Sequence, residues 1–168
     1  MPSERQPYPG DCASAADLLR LAEQYHHAAK LLETLGRRGK PISRAPYRFA
    51  AIHAVELYLN ALLIHLGHSP SSVRGLLHDM AARTDRAVAG GLSLRQRTGA
   101  HLRMIAAARE YQISRYAPEL GATLSQVNRL AATLEEVAAK TRAIICEGES
   151  PAKMPGRPGV SSGSSKAA

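Results

Sequence analysis

Apolar residues along this chain recur at three- and four-residue spacing, the signature of helices that bury one face. Leu18, Leu21, Ala22, Tyr25, Ala28, Ala29 and Leu32 share one such face. They predict a first helix, capped by Asp11 or Ser14, that runs to about Leu35 and stops at Gly36. GRRGKPISRAP follows, a loop with two glycines and two prolines. The next stretch, YRFAAIHAVELYLNALLIHLG from Tyr47 to Gly67, is apolar all round and predicts a buried central helix. Three polar residues interrupt it: His53, Glu56 and Asn60. Beyond it the pattern predicts a turn at Ser71–Gly75 and a helix from about His78 to Ala89, with Asp79 at its N-terminus. A fourth helix is expected from a Ser93 cap, with Leu94, Leu102 and Ile105 facing inward. REYQISRYAPEL then breaks the pattern as a polar connection, Arg109 to Leu120. A fifth helix is expected from about Thr123 to Ile145, with Leu124, Val127, Leu130, Leu134, Val137, Ala138 and Ile144 on its inner stripe. These elements define an all-α, up-and-down bundle of four to five helices over residues 11–147. Residues 1–10 and the Pro-, Gly- and Ser-rich residues 148–168 are expected to be disordered.

Composition agrees with that class. Aromatic residues are 4% of the chain, Trp is absent, and helix formers dominate. No apolar run is long enough to span a bilayer, and the polar, Pro-containing start does not look like a signal peptide, so the expected location is cytoplasmic. Cys12 and Cys146 are expected as free thiols that pair only if the terminal helices bring them together.

Charge changes the picture more than composition does. The net charge is +8, but residues 1–36 carry −2, whereas residues 37–115 hold thirteen basic and four acidic side chains, a net +9. Seventeen of the 22 cations are Arg, whose planar fork grips phosphate bidentately. A basic mid-chain suits an anionic partner such as a nucleotide or RNA. An Arg-, Ala-, Gly- and Pro-rich composition also arises from a GC-rich genome.

Few spacings carry chemistry of their own. His65 and His68, with His78 and Asp79 further on, lack the spacing of a zinc site, and no phosphate-binding glycine loop is present. No metal or cofactor is therefore expected. A polar cluster is more suggestive. Glu56 and His53 stand on adjacent turns of the central helix, His78-Asp79 opens the next helix, and Arg109, Tyr111, Arg115 and Tyr116 follow the fourth. If these converge on one end of the bundle, two Arg hold a phosphate and the Tyr rings stack a base. The alternative is structural: Arg115 neutralises a buried Glu56 and the rings fill the gap between helices.

Three patches together resemble the HEPN domain family, over about residues 15–145. AAIHAVELYLNALLIHLG, Ala50 to Gly67, is similar to the family's Ala-x-Glu-Leu helix ending in Gly. LLHDM, Leu76 to Met80, is similar to its His-Asp-Leu helix opening. YQISRYAPE, Tyr111 to Glu119, is similar to its Tyr-Ile-x-x-Arg-Tyr-Pro element. The resemblance implies a four- or five-helix bundle, commonly a homodimer. It implies either a nucleotide-binding domain or partner of a small nucleotidyltransferase, or a metal-independent RNase toxin of a toxin–antitoxin pair. RNase members place a His four to six residues after an Arg late in the domain, the Arg to stabilise phosphate charge and the His to move the 2′-hydroxyl proton. Here positions 114–116 after Arg109 are Ser114, Arg115 and Tyr116, with no His. Arg48 and His53 have the formal spacing but lie in the central helix. The expectation is a non-catalytic domain binding ligand through Arg109, Tyr111, Arg115 and Tyr116, oriented by His78, Asp79 and Glu56. Arg48, His53 and Arg109 are the catalytic candidates of the RNase alternative. A helical interaction module is a third possibility.

Overall fold

The computed structural model describes residues 8–148, which contain helices and no strand. The chain is therefore all-α, as its periodicity requires. In order, the helices are α1 (Ala15–Glu33), α2 (Ala45–His65), α3 (Pro70–Arg74), α4 (Met80–Ala89), α5 (Gln96–Ala107), α6 (Glu110–Tyr116) and α7 (Val127–Gly148), with 3-10 turns at Pro41–Arg44 and Pro118–Thr123.

The central helix α2 packs against α1, α4, α6 and α7, and Ala51, Ala54, Ala61 and Leu62 are fully buried along it. Alanines on α1 and α2 (Ala22, Ala29, Ala51, Ala54) allow the two axes to approach closely, so this pair forms the tightest part of the bundle. Ser14 starts α1 with a reciprocal capping box: its hydroxyl accepts the Asp17 N–H at 3.1 Å, and Asp17 accepts the Ser14 N–H at 3.0 Å. Asp11 is engaged elsewhere, pairing with Arg74 of α3, while the Arg74 guanidinium lies 4.2 Å above the Tyr8 ring. Residues 8–10, expected to belong to a disordered lead, are thus tied to the bundle. Residues 1–7 and 149–168 lie outside the described residues.

Several boundaries differ from expectation for tertiary reasons. On α1 the inward face centres on Ala22, His26 and Ala29, while Leu21 is 44% exposed. His26 is buried because both ring nitrogens find partners, the Tyr58 hydroxyl at 3.1 Å and Glu135 at 3.0 Å. Ser93 does not cap α5. Glu136 of α7 does, accepting the Arg95 N–H at 2.7 Å and the Thr98 hydroxyl at 2.6 Å. Burial opposes ionisation of Glu136, yet these bonds and Lys140 hold its carboxyl down at about 2. The last helix begins at Val127, not Thr123, because Ser125 is held by Glu110 through its N–H (2.7 Å) and its hydroxyl (3.0 Å). Its fully buried stripe ends on Ile145, with Ile144 only partly covered. REYQISRYAPEL is no open loop, since seven of its residues form α6. Cys12 and Cys146 are both free and exposed. Among the described residues no helix is long and apolar enough to cross a membrane.

Candidate functional site

Two helix junctions bring the candidate side chains together. The α3–α4 junction carries Leu77, His78 and Asp79, and the α5–α6 junction carries Arg109. Leu77 (φ 48°) and Arg109 (φ 52°) are the non-glycine residues in the left-handed region among the described residues. That region costs an L-residue about 1 kcal/mol or more, so packing on both sides must hold these turns. Both line the same groove, of about 540 Å3, with His78, Asp79, Tyr111 and Gln112. Asp79 also caps α4, accepting the Ala82 N–H at 2.9 Å.

From this groove a ladder of rings and charges runs across the bundle. The half-exposed His78 ring stacks on Tyr111, with centroids 3.9 Å apart. The Arg115 guanidinium covers Tyr111 at 4.1 Å, with Phe49 at 4.8 Å and Tyr116 at 5.7 Å from its carbon. Phe49 stacks in parallel with His53 at 5.9 Å, and His53 meets the Tyr25 edge at 4.5 Å. Burial pushes the Tyr111 hydroxyl up, against the opposing pull of Arg115. Burial holds His53 below the usual imidazole range, and its neutral form is favoured further by Arg115 and His78 against the opposing charge of Glu56.

Glu56 answers the question of where Arg115 points. Its partner is Arg83 of α4, at 3.2 Å, with His78 Nδ1 at 3.4 Å on the other oxygen. Arg83 is 2% exposed and also donates Nε–H to Asn60 at 2.8 Å. The structural alternative, in which Arg115 neutralises Glu56, is therefore corrected: the acid is satisfied by Arg83 of α4. Arg115 is exposed, and among the described residues neither it nor Arg109 makes an ion pair. Tyr116 is 76% exposed beside it. A groove of about 490 Å3, walled by His53, Glu56, Asn60, Arg83 and Tyr8, lies on the other side of Leu77 and His78.

Arg48 and His53 are not brought together. Five residues advance an α-helix by about 140° past a full turn, so the two side chains leave different faces. Arg48 is buried against Glu110 at 3.4 Å and donates to the Ser125 carbonyl, whereas His53 faces Tyr25 and Phe49. Arg109 lines the same groove as His78. Glu56, His78, Tyr111 and Arg115 form one continuous set with Tyr116 at its edge. Asp79 and Arg109 adjoin it through the groove.

The sequence reading missed Arg83 and Phe49. Arg83 left a signal, because it falls on the same face of α4 as Met80, Thr84 and Ala87, all buried. A cation on an apolar face needs an acid across the interface. Phe49, the chain's single Phe, left none. No protein-family model matches this chain, and neither does any curated protein or solved structure.

Proposed function

We propose that this chain is a HEPN-like domain that binds the phosphate of a nucleotide or RNA without cleaving it. The observation that carries the reading is Arg115, a guanidinium laid on Tyr111 and beside exposed Tyr116 with no carboxylate partner. An unneutralised cation on an aromatic platform suits a phosphate at the fork and a base on the ring. Arg109 adds a second cation at the groove, His78 extends the stack, Glu56 lies 3.4 Å from the His78 ring nitrogen, and Asp79 caps α4.

Thermal shift with millimolar nucleotides, together with RNA binding at two salt concentrations, tests it. Ligand at about ten times Kd adds about 1.4 kcal/mol to stability. Arg115→Ala should abolish the nucleotide shift and lessen the salt dependence of RNA binding while leaving the unliganded protein folded. Wild-type protein that shows neither a shift nor salt-sensitive RNA binding would sink the proposal.

A further inference from the structure

A second basic pocket lies where the α1–α2 loop meets the start of α7. It holds about 240 Å3 and is lined by Arg37, Lys40, Arg44 and Arg48 together with Ser125 and Gln126, and by no acidic residue. Glu110 stands behind Arg48 and neutralises it, which leaves three cations unmatched. Among the described residues Arg37, Lys40 and Arg44 make no ion pair. Like charges gathered around one cavity repel one another, and an anion in the cavity removes that cost.

The loop that carries the cations is braced. The Arg44 side chain lies across Gly36, where a Cβ would stand 2.8 Å from Nη1 and 3.0 Å from Cγ, so a larger residue there would displace the guanidinium from its present position. Ser43 braces the loop, accepting the Arg37 N–H at 2.8 Å and donating to the Lys40 carbonyl at 2.7 Å. Ser125 and Gln126 directly precede the 22-residue helix α7, whose N-terminal dipole adds positive potential at the rim.

The pocket is continuous with the aromatic platform. A cavity of about 270 Å3 is lined by both Arg48 and Arg115, with Ile42, Ile113 and Pro118, and it shares Arg48, Gly121 and Leu124 with the basic pocket. Arg115 is in turn shared with the hollow that Phe49 and Tyr116 line. We infer that the Arg37–Lys40–Arg44 pocket binds a second phosphate of the same strand, so that the preferred ligand is a single-stranded oligoribonucleotide and not a mononucleotide. This rests on the phosphate-binding reading of the Arg115 platform.

The double variant Arg37→Ala/Lys40→Ala removes two exposed side chains and leaves the core untouched. Wild type and variant are titrated with adenosine monophosphate and with a single-stranded oligoribonucleotide of about eight nucleotides, over a range of salt. The variant should bind the oligonucleotide more weakly, with a log–log salt slope smaller by about 0.7, the contribution of one single-strand phosphate contact. Its affinity for the mononucleotide should match wild type. Equal oligonucleotide affinity and slope in the two proteins would overturn the second site and leave the Arg115 platform standing. A variant weakened equally toward mononucleotide would also overturn it, because the pocket would then not be separate. A wild-type protein that binds neither probe overturns both readings.

Discussion

Replacing Glu56 with Gln keeps the side chain's shape but leaves Arg83 as a buried cation without its counter-charge. Arg83 is 2% exposed and Glu56 7%, and their atoms are 3.2 Å apart, so solvent reaches the pair only from the groove and replaces the lost charge poorly. Burial already presses the Arg83 guanidinium below its ordinary value, with Glu56 as the main opposing influence. Breaking such a pair costs about 3–5 kcal/mol. Arg83 keeps Asn60 at 2.8 Å and weaker contacts to the Leu76 and Asp79 carbonyls at 3.4 Å. The lower end of the range therefore applies, about 3 kcal/mol, or a Tm lower by roughly 10 °C for a domain of this size. Urea unfolding should show a lower midpoint with an unchanged m-value. The double variant Glu56→Gln/Arg83→Met removes the stranded cation as well and should recover about 2 kcal/mol of the loss, visible as coupling in a double-mutant cycle. Glu56→Gln within about 0.5 kcal/mol of wild type, or strict additivity of the two changes, would refute the pairing.

Other parts of the molecule give sharp expectations. The Tyr47 hydroxyl is buried without a hydrogen-bond partner, and burial pushes its pKa up to about 12, so Tyr47→Phe should leave Tm unchanged or raise it. Tyr58→Phe is the contrast: its hydroxyl meets Arg142 at 2.7 Å and His26 at 3.1 Å, and its loss should cost about 1–2 kcal/mol in urea unfolding. His101 is buried with Nε2 unpartnered, and burial holds it below the usual imidazole range, as it does His53. An imidazole depressed in the folded state stabilises fully above its unfolded pKa, so stability should fall as pH drops below about 6.5 through the folded values. Carboxylates such as Glu136 lose their contribution only further down, toward about 2. Tm measured from pH 7 to 5 should decline, and less steeply in His101→Gln. Leu77 is 73% exposed at φ 48°, so Leu77→Gly relieves about 1 kcal/mol of backbone strain but adds a similar entropy to the unfolded chain, and Tm should change by less than about 3 °C. A Tm lower by more than that would show that the side chain makes stabilising contacts.

The all-α class, the buried central helix, the Ser14 and Asp79 caps and the positions of the longer helices are local matters. A spacing of three to four apolar residues, or a hydroxyl or carboxylate before a helix, acts within a few residues of itself and can be seen along the chain. Long-range partnerships are a different kind of fact. That Glu136 caps α5, that Glu110 holds Ser125, and that His26 is buried between Tyr58 and Glu135 depend on groups far apart in sequence. The candidate site divides along the same line. Its residue types and the excess of Arg at mid-chain were legible, because charge and aromatic content need no geometry. The choice of partner for Glu56 was not. Arg83 and Arg115 are both plausible cations on sequence alone, and only the packing of α4 against α2 puts Arg83 beside the acid and leaves Arg115 outside on Tyr111. A charge is a property of one residue, whereas its neutralisation is a distance, and distances are decided by how the helices pack.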